Sequence, residues 1–95
     1  MIETLRYNSA GLPVRTLGRT GLEVSIIGFG GGHFVRPHID EKLSVRMVKM
    51  GIEAGLTFMD TAWEYGEGDS ERRMGLALKG KRDQVTIMTI VCARD

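Results

Sequence analysis

The chain has 95 residues, 42% hydrophobic and 26% charged, which is the make-up of one globular unit rather than a membrane protein or a disordered tail. Thirteen basic and twelve acidic residues leave a net charge of +1, with no block of like charge, so no electrostatic footprint for nucleic acid or anionic lipid is present. Glu3, Arg6 and Asn8 stand where a signal peptide needs an apolar run, and Cys92 is the single cysteine; the expected compartment is the cytosol.

Residues 1–13 lack periodicity and end in Gly11-Leu12-Pro13, so they are expected to form an exposed leader, with residues 14–95 the folded part. Val14-Arg15-Thr16-Leu17 and Leu22-Glu23-Val24-Ser25 alternate apolar with polar around Gly18-Arg19-Thr20-Gly21, which predicts a hairpin. Residues 25–29 then read as a short buried strand running into the loop Gly30-Gly31-Gly32.

Asp40 is placed as an N-cap, and Leu43, Met47, Met50 and Ala54 recur at helical spacing until Gly55, predicting an amphipathic helix over 40–54. Residues 56–60 read as the next strand, with Asp60 at its end. A loop over 61–68 and a second helix from Asp69 or Ser70 through Leu78 follow. The β-branched run over 84–91 is a third strand. A hairpin followed by β-α-β-α-β argues for an α/β fold with a parallel sheet.

Two stretches carry chemistry. Gly28-Phe29-Gly30-Gly31-Gly32-His33 nearly spells the dinucleotide fingerprint, lacking its third glycine, and a Rossmann-type NAD-binding domain is therefore one alternative. That fingerprint opens directly into a helix, whereas Pro37 and its neighbours intervene before Asp40. The second stretch, Asp60-Thr61-Ala62-Trp63-Glu64-Tyr65-Gly66, sets an acid at a strand end and a phenol five residues on. Ligands of parallel α/β folds sit there, and a phenol can protonate a carbonyl if a neighbouring cation tunes it. The same spacing also fits Asp60 capping a turn and Tyr65 packing on the second helix.

Other residues have plainer readings. His33 and His38, with one cysteine and no acid at ligand spacing, do not suggest a metal site. Trp63 either stacks on a substrate or covers the second helix. Met47, Met50, Met59, Met74 and Met88 are expected in the core, and Cys92, with Arg94 near it, is expected to be an ordinary thiol.

Five motifs occur in register: the run from Arg15 to Ser25, Ile27-Gly28-Phe29-Gly30, Gly55-Leu56-Thr57-Phe58-Met59-Asp60-Thr61-Ala62, Tyr65-Gly66 with Gly68-Asp69-Ser70-Glu71, and Met74-Gly75-Leu76-Ala77-Leu78. Together they resemble the N-terminal part of the aldo/keto reductases. The resemblance implies a partial (β/α)8 barrel whose whole is typically about 250 residues, with residues 14–25 as the hairpin closing its bottom. It implies Asp60 and Tyr65 as catalytic residues, Tyr65 protonating an aldehyde or ketone as hydride arrives from NADPH. Gly30, Gly31, Gly32 and Asp60 would lie near the nicotinamide. The family's catalytic lysine aligns with Ile90, and its catalytic histidine belongs to a later strand. The expectation is an NADPH-dependent oxidoreductase site that is inactive in these 95 residues; the other class of reading is a non-catalytic binding protein derived from the barrel. Neither implies nucleic acid, membrane or metal, and the open edge of the third strand suggests self-association.

Overall fold

A computed structural model of the chain describes residues 5–91. The N-terminal part is a three-stranded antiparallel sheet of β1 (Arg6–Tyr7), β2 (Pro13–Thr16) and β3 (Glu23–Ser25), in that spatial order. The predicted hairpin is β2 and β3, with Val14 opposite Ser25 and Thr16 opposite Glu23. Thr20 makes its turn: the hydroxyl donates to the Leu17 carbonyl at 2.6 Å and accepts from the Leu22 N–H at 3.0 Å.

The leader contains an element that periodicity could not reveal, because β1 is only two residues long. Asn8 holds it in place. Its Oδ1 accepts from the Ala10 and Leu12 N–H groups, and its Nδ2 donates to the Gly55 carbonyl at 2.8 Å. Gly55 has φ of +103°, and a Cβ there would stand about 3 Å from Ala10, Asn8 and Leu12. The left-handed residue that ends the first helix is thus also the seat of the leader.

The second sheet is parallel, ordered β4 (Phe29–Gly30), β5 (Phe58–Ala62) and β6 (Thr86–Ile90), with α1 (Glu41–Glu53) and α2 (Asp69–Ala77) in the two crossovers. Asp40 caps α1, accepting from the Leu43 N–H at 2.8 Å. Asp69 and Glu71 occupy the first turn of α2, where the helix dipole favours negative charge. Phe34, Val48, Met59, Met74, Ala77 and Leu78 form the buried core between the helices and one sheet face.

Four expectations are corrected here. The buried stripe of α1 is Ser44, Val48 and Gly51, one position beyond the predicted set, while Leu43 and Met50 are exposed. Close approach selects the small residues: a Cβ on Gly51 would meet Leu56 at 3.2 Å and the Phe29 ring at 3.3 Å. Ser44 is tolerated in the core because its hydroxyl is bonded to the Phe34 and Asp40 carbonyls and to Arg73. Of the five methionines expected inside, Met59 and Met74 are buried, while Met50 and Met88 are exposed.

The strand expected over 25–29 begins only at Phe29. Ser25 and Thr57 exchange bonds instead, each side-chain oxygen accepting from the other's N–H at 2.9 Å, and Ser25 Oγ donates to the Ile27 carbonyl at 2.7 Å. These bonds bend the chain and leave Ile26 and Ile27 half exposed. The strand expected over 56–60 runs over Phe58–Ala62, because Leu56 N–H still bonds back to the Gly51 carbonyl at the helix exit. Asp60 therefore lies in the middle of β5.

Candidate functional site

The parallel register decides which side chains share a face. Phe58 pairs with Thr86, Asp60 with Met88 and Ala62 with Ile90, while Met59, Thr61, Ile87 and Thr89 alternate toward the helices. Asp60 and Ile90 are thus diagonal neighbours on the face turned away from the helical layer. Asp60 Oδ1 is buried and has no hydrogen-bond partner among the described residues. A buried carboxylate oxygen without a donor is costly, and the adjacent strand offers it a thioether and an isoleucine.

Gly31 is fixed against the same strand. Its N–H donates to the Asp60 carbonyl at 2.7 Å, and its own carbonyl accepts from Ser70 Oγ at 2.9 Å. A Cβ on Gly31 would lie 2.5 Å from Ser70 Oγ and 3.0 Å from the Asp60 carbonyl oxygen, so only glycine fits. A Cβ on Gly32 would meet the Tyr65 ring at 3.7 Å, and one on Gly30 would meet nothing within 4 Å.

Tyr65 stands in the loop after β5. Its N–H bonds to the Ala62 carbonyl at 3.2 Å, its carbonyl accepts from the Ser70 N–H, and Gly68 N–H closes the loop on the Trp63 carbonyl at 2.7 Å. Asp60, Tyr65, the three glycines, His33 and Arg36 line one cleft of about 380 Å³. The structure therefore brings all five sequence-predicted site residues together. Asp60 makes no capping bond, and Tyr65 faces the glycine run. The Trp63 indole lies against Gly68 at the start of α2 and is not among the residues lining the cleft.

Sequence reasoning missed the supports. Ser70 is fully buried, and its hydroxyl is 2.6 Å from Thr61 Oγ1. Its signal was available: Ser70, Met74 and Ala77 lie at i, i+4 and i+7, the buried face of α2. Arg73 Nη1 reaches the Phe34 carbonyl (2.7 Å), the Ile39 carbonyl (3.0 Å) and Ser44 Oγ (2.6 Å), tying the segment before α1 to α2. Arg73 Nε faces Asp69 Oδ2 at 2.9 Å as an ion pair. Arg72 bridges Asp69 and Glu41. The hydrogen bond from Arg72, aided by the charges of Arg73 and Arg72, holds the Asp69 carboxyl below the usual carboxylate range against a desolvation that opposes it.

Among the described residues no three His, Cys, Asp or Glu side chains gather as a metal site. No helix there is long and apolar enough to cross a membrane. Cys92 and Arg94 lie outside the described residues.

Comparison with known proteins gives one answer. The Aldo/keto reductase family matches residues 26–94. The aldo-keto reductase YhdN of Bacillus subtilis is 40% identical over 79 residues, covering 78% of this chain and 24% of its own length. The structure of the aldo-keto reductase AKR11C1 from Bacillus halodurans, solved in its holo form, superposes with a TM-score of 0.70 at 36% identity over 80% of this chain and 24% of that one. An aldo/keto reductase from Klebsiella pneumoniae, solved with NADP and acetate, gives 0.65 at 33% identity over 70% of this chain and 24% of its own. The chain spans about a quarter of the length of the curated relatives it matches.

Proposed function

Because the chain belongs to the aldo/keto reductase family, its hairpin and β-α-β-α-β run forming part of a (β/α)8 barrel, we propose that it carries the Asp60 and Tyr65 portion of an oxidoreductase site at which NADPH reduces an aldehyde or ketone. We further propose that these 95 residues alone do not turn over. The observation that carries both statements is the buried Asp60 Oδ1, which lies beside Ile90 and has no donor among the described residues.

The residues present fit the nicotinamide end of the cofactor. Open space over Gly30 admits a flat ring, and Asp60 Oδ1 is an acceptor awaiting an N–H. Gly30, Gly31, Gly32 and Asp60 would hold that end. When bound, NADPH supplies the hydride that adds to the carbonyl carbon. Tyr65 donates its phenolic proton to the carbonyl oxygen, completing the alcohol, and takes a proton back from water. A phenol is a poor acid at neutral pH, and a cation beside it favours the phenolate left behind. Ile90 neither carries charge nor donates, so the proton transfer loses its support and Asp60 its ion-pair partner. Loss of one member of a cooperating set costs orders of magnitude in rate. The site chemistry suits a small carbonyl substrate, and the polar N-terminus and single cysteine suit the cytosol.

A chimera tests this reading. Residues 14–91 replace the matching segment of the Bacillus subtilis relative, and NADPH oxidation is followed with a carbonyl substrate. The chimera with Ile90 is expected to be silent and its Ile90→Lys form active, with Tyr65→Phe in that form lowering the rate by about a hundredfold or more. A folded Ile90→Lys chimera that stays silent overturns the reading. Ile90 also favours a second one, a binding module derived from the barrel, and that outcome would leave it standing.

A further inference from the structure

We infer that the cleft over Asp60 and Tyr65 is built for a small carbonyl compound that also carries a carboxylate, with Arg36 as the partner of that anion. The inference rests on the reading above in one respect only, that the carbonyl faces Tyr65.

The cleft, of about 380 Å³, is lined by Gly30, Gly31, Gly32, His33, Arg36, Asp60 and Tyr65, and the carbonyl compound is assigned to its part beside Tyr65 and Arg36. The lining is polarised. Asp60 and Tyr65 are contributed by β5 and the loop after it, while His33 and Arg36 come from the segment between β4 and α1. Arg36 brings a guanidinium with five N–H donors, and no ion pair occupies it among the described residues.

The Arg36 side chain is exposed, and the backbone that carries it is fixed. Arg73 binds the carbonyls of Phe34 and Ile39, one on each side of it, and the Arg36 carbonyl accepts from the Ile39 N–H at 2.9 Å. The backbone under Arg36 is thus anchored to α2, and its planar fork suits a carboxylate. The anion is assigned to the substrate rather than to the cofactor's phosphates, because phosphate groups in such barrels are held by the loops after the seventh and eighth strands.

The test is an amide-resolved NMR titration of the 95-residue chain with three five-carbon probes: 4-oxopentanoate, 2-pentanone and pentanoate. Signals of Gly31, Gly32, His33 and Tyr65 are followed. The oxo acid is expected to shift them at about one-tenth the concentration 2-pentanone needs, the scale of one charge-assisted hydrogen bond. Arg36→Met, which keeps the stem and removes the charge, should erase that difference, and Arg36→Lys should restore part of it. Equal binding of the oxo acid and 2-pentanone, an unchanged preference in Arg36→Met, or no shift with any probe overturns the inference. Pentanoate separates the two readings. If it binds as well as the oxo acid and Tyr65→Phe changes nothing, the anion site stands and the carbonyl assignment at Tyr65 fails.

Discussion

Ser70 Oγ donates to the carbonyl of Gly31 at 2.9 Å across 39 positions of sequence, so the first turn of α2 sets the glycine run at the end of β4. With the Ser70 proton spent on Gly31, Thr61 is the donor in the 2.6 Å contact between the two hydroxyls. A helix and two strands therefore meet through one chain of hydrogen bonds under the cleft, all of it buried. In such a chain each member is satisfied only while the others are present.

Ser70→Ala should accordingly destabilise the chain by about 1–3 kcal/mol, the cost of leaving the Gly31 carbonyl and the Thr61 hydroxyl without partners. Gly31→Ala should also destabilise, since its methyl meets Ser70 Oγ at 2.5 Å. The double variant removes that oxygen and should cost less than the sum of the singles by about 1 kcal/mol. Urea unfolding midpoints measure all three. Strict additivity would mean that the hydroxyl is not what excludes the methyl.

Element types were legible because apolar periods, the Asp40 cap and the Gly55 exit are local signals. Boundaries shifted where side chains took over backbone partners: Ser25 and Thr57 displaced the start of the ladder, and the helix exit at Leu56 moved β5 along by two residues. The stripe on α1 slipped by one because hydrophobicity does not register that Gly51 must admit the Phe29 ring or that Ser44 can be satisfied by Arg73. That Asp60, Tyr65 and the glycines come together in one cleft was legible through motif resemblance. Ser70, Arg73 and Arg36 were not, because their roles depend on partners 29 to 39 positions away or on a cleft wall that only the fold assembles.

Asp69 predicts a pH dependence. Its carboxyl is held below the usual range by Arg72 first and Arg73 second, so the folded state binds a proton there less readily than the unfolded chain. The stability it contributes is fully present above the unfolded value of about 3.9 and is lost as pH falls through the lower folded value. The side chain is partly exposed and screened, so the effect is modest. Asp69→Asn should unfold at lower urea than the parent at pH 6, and the gap should narrow by pH 3. A gap of constant width would assign Asp69 a role independent of its charge.

The edge of β6 predicts self-association. Met88 and Ile90, on the face turned away from the helices, are nearly half exposed and Val91 is mostly exposed, and within the described residues β6 pairs only with β5. An apolar strand with free backbone groups recruits another. Sedimentation velocity should show a mass above that of one chain, rising with concentration, and Met88→Lys should lower it by placing charge on the edge. Mass independent of both concentration and substitution would show that the edge is not used.

Cofactor binding can be separated into its two ends by thermal unfolding. A ligand that binds only the folded chain raises its midpoint. The groups proposed to hold the nicotinamide end line the cleft of Gly30, Gly31, Gly32 and Asp60, whereas phosphates in such barrels are held by loops after later strands. Reduced nicotinamide mononucleotide and NADPH should therefore shift the midpoint equally. At about five times the dissociation constant the gain is about 1 kcal/mol, a shift of roughly 4–8 °C for a domain of this size. Asp60→Ala should remove the shift by deleting the acceptor. A shift several times larger with NADPH would place a phosphate or adenosine site within these residues, and no shift with either ligand would mean that the cleft does not hold the cofactor without the rest of a barrel.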